Sequence, residues 1–344
     1  MDLPSNCSFY ARYGTFGRMP RRTLRYIIVG YGNIGHKRQA VLKNKCLATV
    51  DPNPVVKADF TDSTQVPQAI VDQVDAVILA VSKKPKIELL LYWLGKGKHV
   101  LVEKPLLLST TQSQQLLAVA KKHHVIWYTA YNFRFEPHII RIKKLLEKGT
   151  FGQFYHGRIT YGFGNVQQLL STWRNSGYGV LDEVGCHLVD FARYFFPYQA
   201  NDYKAIHLRT IEASVPDYCL FGTTDNKLLL EASWVHWKNV FTVDFFFERG
   251  SVQMNGLCKW GKSELLMRKR VLPAGVPKQS QWLEQDPDKT WQRDTAFFEK
   301  MLLQQKNCYQ DDVYMSTAMH SIVSDGNTSF DDSIYRFQDT LRAK

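Results

Sequence analysis

A chain of 344 residues with 44% hydrophobic side chains holds enough apolar material for two domains and excludes global disorder. The formal net charge of +12 favours anionic partners such as a nucleotide or a phosphorylated or carboxylated substrate, but the basic residues are spread along the chain, apart from Arg18, Arg21, Arg22 and Arg25, so a nucleic-acid face is not expected. No apolar run approaches the roughly 20 residues of a membrane span, and the six scattered cysteines, with no CxxC pair, read as reduced thiols in a cytoplasm.

Residues 1–24 are polar, aromatic and arginine-rich, lack the apolar stretch of a secretory signal, and read as an extension outside the fold, with Met19 as an alternative start. A dinucleotide-binding domain is expected over 25–150. Its first apolar strand, Tyr26 to Val29, runs into Gly30-Tyr31-Gly32-Asn33-Ile34-Gly35 and then a helix with Ile34, Ala40 and Val41 facing inward. This is G-x-G-x-x-G between a strand and a helix, the setting in which it carries meaning. The first glycine permits the tight turn, the second lets backbone approach a pyrophosphate, and the third packs helix on strand. The helix start, Asn33 and Ile34, offers free N–H groups to phosphate.

The next strand ends in Asp51, sixteen residues after Gly35. A carboxylate there accepts from the adenosine ribose hydroxyls and repels a 2′-phosphate, favouring NAD over NADP, although Lys37 and Arg38 keep NADP open. The buried strand "DAVILAV" follows, with Ala80, Val81 and Ser82 at its ligand-facing end. Next come the helix "KIELLLYWLGKG" and the strand "HVLVE", which exits at Glu103-Lys104-Pro105. Lys104 thus leaves the sheet at its carboxyl edge, where such sheets bind ligands, and Pro105 stops the strand in a turn where a cis bond costs little. A helix capped by Ser109, the strand "VIWYTAY" and a helix begun by Pro137 complete the alternation of a doubly wound parallel sheet.

From 151 to 344 the texture changes. "QFYHGRITYGFG", "AIHLRTIEA", "DYCLFGTT", "KLLLEASWVHW" and "VFTVDFFFERGSVQMNG" alternate apolar and polar residues between turns. They predict an α+β domain on a large, mostly antiparallel open sheet. Two late helices, "TWQRDTAFFEKMLLQQ" and "DDSIYRFQDTLRA", follow. Between the two textures, "STWRNSGYGVLDEVGCHLVDFARYFF" reads as helix from Val180, with an apolar stripe at Val184, Leu188, Phe191 and Phe195. Glu183 and His187 are four apart and share a helical face. A carboxylate beside an imidazole sets its tautomer and pKa and makes a general base; a surface ion pair is the alternative. With no HExxH or third ligand, no metal is expected.

The glycine turn, "EKP" and "GYGVLDEVGCHLVD", in that order, resemble the glucose–fructose oxidoreductase / inositol dehydrogenase / rhizopine catabolism (Gfo/Idh/MocA) family, from about Arg25 to the last helix. "YNFRFEP", "TWR" and "ERGSVQMNG" are similar to further family segments. The resemblance implies a cytoplasmic NAD(P)-dependent oxidoreductase acting on a sugar, cyclitol or nucleotide sugar, dimeric or tetrameric through its C-terminal sheet. Lys104 matches the family lysine that reaches the nicotinamide ribose and the reacting oxygen, with Glu103 and Pro105 completing its motif. His187 matches the histidine that exchanges a proton with the substrate hydroxyl. Glu183, which would orient it, stands where the family often has aspartate, and Gly177-Tyr178-Gly179 replaces three glycines. Tyr131, Asn132 and Arg134 are expected beside the cofactor and substrate, with Trp173 and Arg174 on the opposite wall. A non-catalytic dinucleotide-binding regulator of the same fold is the alternative reading.

Overall fold

The computed structural model describes residues 23–304, 306 and 309–324. The N-terminal extension, apart from Thr23 and Leu24, its possible start at Met19, the last helix expected at 331–343, and Cys7 and Cys308 lie outside the described residues.

The first half alternates as its pattern predicts: β1 (Tyr26–Val29), α1 (Asn33–Leu42), β2 (Cys46–Val50), α2 (Gln68–Gln73), β3 (Ala76–Leu79), α3 (Lys83–Gly95), β4 (His99–Glu103), α4 (Thr110–Lys122), β5 (Trp127–Ala130) and α5 (Pro137–Glu147). The strands form one parallel sheet in the order β2-β1-β3-β4-β5. Its central strands are apolar along their length because helices cover both faces. Val29, Val77, Val100 and Val102 pack against Leu90, Trp93, Leu94 and Leu116 of α3 and α4. On the other face, Tyr26, Ile28, Leu101 and Tyr128 meet Leu42 of α1 and Phe297, Phe298 and Met301 of a helix from the far end of the chain.

The second half contributes β6 (Phe154–Gly162), the short α6 (Val166–Leu169), α7 (Cys186–Phe195), β7 (Tyr203–Arg209), β8 (Tyr218–Thr223), β9 (Leu228–Ser233), β10 (Val240–Phe247), β11 (Gly250–Asn255), β12 (Ser263–Val271), β13 (Gly275–Glu284), α8 (Thr290–Gln304) and α9 (Tyr309–Ser324). Its eight strands run β13-β12-β11-β10-β6-β9-β8-β7, antiparallel except where β6 pairs in parallel with β9. One face of this sheet packs on α5, α7 and α9 through residues such as Ile142, Phe191, Phe245, Met315 and Met319.

One expectation is corrected. The inward face of α1 is Gly35, Arg38 and Leu42, while Ala40 is exposed and Ile34 and Val41 only half-buried. From beyond residue 151, α8 completes the first sheet's second helical layer, and the Asp312 carboxylate of α9 accepts from Trp127 Nε1 of β5 at 2.8 Å. No helix of the described residues is long and apolar enough to cross a membrane.

Candidate active site

The glycine turn is built by steric exclusion. Gly30 takes φ +89°, and a Cβ there would lie 2.4 Å from the Ala80 carbonyl oxygen. At Gly35 a Cβ would lie 2.2 Å from the oxygen of Gly30, so α1 closes onto β1 only without a side chain. Gly32 differs: its backbone is extended, and a Cβ there would meet nothing within 4 Å. The protein leaves that room empty over the start of α1, where no side chain caps the free N–H groups of Asn33 and Ile34. Beside it, Asp51 accepts from the backbone N–H of Tyr31 at 2.7 Å and of Asn53 at 2.9 Å, which fixes its carboxylate next to the turn. Ala80, Val81 and Ser82 form a half-buried rim between β3 and α3. A bare loop, uncapped helix start and acidic strand end fit a dinucleotide.

Three residues expected at the cofactor are occupied elsewhere. Arg38 is fully buried and donates to Glu103 (Nε to Oε1, 2.7 Å), Asp294 (2.7 Å) and Thr295 (3.2 Å). Arg38 therefore cannot meet a 2′-phosphate, and the Glu103 carboxylate serves the ion pair. Asn132 is buried and donates to Thr290 Oγ1 at 3.0 Å. Lys37 is exposed, its ammonium 5.6 Å from the Trp291 ring centroid.

At the end of β4 the Lys104–Pro105 bond is cis. Lys86 of α3 reaches under this turn and donates to the carbonyls of Glu103 (2.7 Å) and Pro105 (2.8 Å). Burial pushes its ammonium down to about 8, against the pull of Glu103 and with the help of Lys104. Sequence reasoning passed over this lysine, yet it lies in the buried stripe of α3 with Leu90, Trp93 and Leu94, a placement that only a partnered lysine tolerates.

Lys104 crosses to the second half and donates to the backbone carbonyl of Glu183 at 2.6 Å. That carbonyl belongs to a π turn, Leu181–Gly185, which precedes α7. Such a turn is wider than an α turn and re-aims its side chains. The carboxylate of Glu183 accordingly faces Arg174, and no hydrogen bond joins it to His187. The expectation that Glu183 orients the imidazole is corrected. Asp182 takes the Lys83 ammonium and the backbone N–H of Tyr178 (2.8 Å), tying this segment to α3.

His187 is buried against Phe133, stacked at 4.5 Å between centroids, with Tyr161 at 5.9 Å and the edge of Tyr131 at 6.3 Å. Burial first, and then the charges of Lys104 and Lys259, hold its pKa well below the usual histidine value. It is a neutral imidazole at neutral pH. The Tyr131 hydroxyl is buried beside it without a hydrogen-bond partner among the described residues, a polar atom that a ligand would satisfy. Before the π turn, Trp173 is 37% exposed, with the Arg174 guanidinium 4.7 Å from its ring centroid.

Arg134 does not line the cleft. Its guanidinium is buried and grips both carboxylate oxygens of Asp190 through Nε at 2.8 and 2.9 Å, with Asp311 of α9 at 3.5 Å. Sequence reasoning also missed Lys259 and Tyr161, which meet beside His187 with Lys259 Nζ 2.9 Å from Tyr161 Oη. Neither carries a local signal, because they come from β6 and from a turn after β11, 98 residues apart.

Two family profiles match the chain: an oxidoreductase family with an NAD-binding Rossmann fold over residues 24–131, and a GFO/IDH/MocA C-terminal domain over 139–253. Levoglucosan dehydrogenase of Pseudarthrobacter phenanthrenivorans is 27% identical over 162 residues, 44% of this chain and 42% of its own length. Myo-inositol 2-dehydrogenase of Thermotoga maritima is 34% identical over 121 residues, 35% of this chain and 36% of its own. The chain thus aligns with less than half the length of either relative. A solved structure of levoglucosan dehydrogenase in complex with NADH superposes with a TM-score of 0.72 at 18% identity, covering 88% of this chain and 97% of that one. Both matched domains stand in the order and over the segments that carry the glycine turn, the Lys104 turn and the His187 helix, and the chain belongs to the Gfo/Idh/MocA family of oxidoreductases with an NAD-binding Rossmann domain.

Proposed function

We propose that the protein is an NAD(P)-dependent dehydrogenase or reductase acting on a CH–OH group of a sugar, cyclitol or related polyhydroxylated substrate. The observation that carries this reading is the meeting of an ammonium from one half with a neutral imidazole from the other. Lys104 bonds to the π turn that leads into His187, and its charge bears on that ring. The relatives' names, levoglucosan and myo-inositol dehydrogenases, support the substrate class.

The glycine turn, the start of α1, Asp51 and the Ala80–Ser82 rim would hold the dinucleotide, which supplies the hydride acceptor or donor when bound. Asp51 favours NAD, and with Arg38 buried only Lys37 remains on α1 to favour NADP. His187 takes the hydroxyl proton as the carbonyl forms and returns it in reduction. Lys104, preorganised on the Glu183 carbonyl, donates to the oxygen on which negative charge develops. Phe133 and Tyr161 shield the imidazole from water, and burial together with the two nearby ammonium groups favours its prompt deprotonation. Glu183 and Arg174 position the π turn and the wall rather than transferring protons. We place the enzyme in the cytoplasm, in keeping with unpaired Cys46, Cys186, Cys219 and Cys258, and assembled through the open face and edge of the large sheet, where Val276 and Leu283 are exposed.

The test is NAD(P)H formation with a panel of sugars, cyclitols and nucleotide sugars. Wild type turns over at least one member, while Lys104→Ala and His187→Ala each lose about 100-fold or more in kcat, and His187→Ala keeps its affinity for the cofactor. Tight cofactor binding with no hydride transfer to any of them would sink the reading.

A further inference from the structure

The cleft contains more positive charge than hydride transfer to a neutral sugar requires. After β11 the chain makes a single helical turn, Cys258–Trp260. Buried Glu136, from the segment that begins α5, pins this turn by accepting from the Cys258 backbone N–H at 3.2 Å and its thiol at 2.6 Å, and from Ser263 Oγ at 3.4 Å. Lys259 projects from the pinned turn. Lys259 is exposed as a residue, while its ammonium lies against three rings, 4.4 Å from the Phe133 centroid, 4.6 Å from Trp260 and 5.2 Å from Tyr161. Phe133 and Tyr161 are the same rings that pack on His187.

Neither Lys259 nor Lys104 has a carboxylate within ion-pair distance among the described residues. Of the acids that bear on Lys259, Glu183 is committed to Arg174, and Asp288 accepts from the Thr290 backbone N–H at 2.8 Å. Enclosure, and then the repulsion of Lys104 and Lys37, push the Lys259 ammonium down to about 7. Two unpaired ammonium groups flank one neutral imidazole, an arrangement that a neutral ligand leaves uncompensated and an anion relieves. The local geometry selects the anion. Lys259 Nζ donates to Tyr161 Oη, which leaves the phenol hydrogen free to point away from the lysine. The result is two adjacent donors, an ammonium and a phenol, which match the two oxygens of a carboxylate.

We propose that Lys259 is a specificity-determining residue that pairs with a substrate carboxylate, so that the substrate class is a sugar acid or comparable hydroxy acid. This rests on the reading of the Lys104–His187 cleft as the substrate site.

Calorimetric titration of the NADH-loaded full chain with D-glucuronate, D-glucose and D-glucose 6-phosphate tests it. D-Glucuronate binds roughly 10–100-fold tighter than D-glucose, as one charge-assisted pair provides. Titration near pH 7.5 in buffers of different ionisation enthalpy shows proton uptake with it. Lys259→Met abolishes both the preference and the uptake, Lys259→Arg keeps the preference, and both variants retain the wild-type melting temperature and NADH affinity. Equal binding of D-glucuronate and D-glucose, tighter binding of the phosphate, a preference that survives Lys259→Met, or a loss of NADH affinity in that variant would each overturn the assignment. Hydride transfer followed in parallel samples with NAD in place of NADH, so that the CH–OH group has a hydride acceptor, judges the oxidoreductase reading separately: turnover without carboxylate preference removes only the role of Lys259.

Discussion

Replacing Arg134 separates a structural ion pair from a substrate contact. Its guanidinium holds Asp190 through two hydrogen bonds from Nε, and Asp311 lies between it and Arg193, whose Nη1 is 2.9 Å from Asp311. Among the described residues the cluster includes the cations Arg134 and Arg193 and the anions Asp190 and Asp311, and it joins the end of the first sheet to α7 and α9. Arg134→Met removes one cation and leaves buried Asp190 without its main partner, a loss of about 3–5 kcal/mol for a pair of this kind. With an unfolding entropy near 2.1 cal/mol/K per residue, a chain of 344 residues melts about 4–7 °C lower. Adding Asp190→Leu recovers most of the loss, because the orphaned charge is then gone. Thermal melts of the three proteins, with NADH titration and KM alongside, make the assay. Unchanged NADH affinity and KM within about threefold are expected, since the Arg134 guanidinium is buried and committed to Asp190 and Asp311. An Arg134→Met protein that melts with wild type but shows KM raised tenfold or more would refute this and return Arg134 to the substrate.

Gly32→Ala keeps the wild-type melting temperature within about 2 °C, as its Cβ meets nothing, but weakens NADH binding at least tenfold; Gly30→Ala instead destabilises the fold through its φ of +89° and the Ala80 carbonyl. Fluorescence titration with parallel melts distinguishes the two. Lys86→Met frees the turn that carries Lys104 and lowers kcat by about 10–100-fold with little change in NADH affinity; unchanged kcat would remove Lys86 from the positioning of Lys104. For His187 the folded pKa lies below the unfolded one, so the unfolded chain binds the extra proton and stability falls as the pH drops below about 6.5, by up to about 1.4 kcal/mol per unit. Urea midpoints at pH 7 and pH 5.5 show this slope in wild type and a shallower one in His187→Asn.

The parallel sheet was legible because strands such as Ala76–Leu79 and His99–Glu103 are covered on both faces and read as unbroken apolar runs between helices. β12 and β13 escaped notice. "SELLMRKRV" lies one strand in from the edge and carries charges at Glu264 and Arg268 to Arg270, and of its apolar residues only Leu265 and Met267 enter the core, while β13, the edge strand, is exposed on most of its length. Lys104 and His187 could be singled out from their motifs, but their surroundings could not. Spacing arguments assume about 3.6 residues per turn, and the π turn at Leu181–Gly185 breaks that assumption where Glu183 was assigned its partner. Arg38 and Arg134 read as ligand-binding arginines because their acids, Asp294 and Asp190, are 256 and 56 residues away in the chain.

The most direct test of the account is a crystal structure of the full chain with NAD bound. The pyrophosphate is expected over Gly32 and the start of α1, and the nicotinamide ring facing a space in which one substrate oxygen reaches both the Lys104 ammonium and the His187 imidazole while its carbon lies about 3–3.5 Å from the ring. A nicotinamide turned away from both side chains, with His187 walled off from it by protein, would contradict the proposed function.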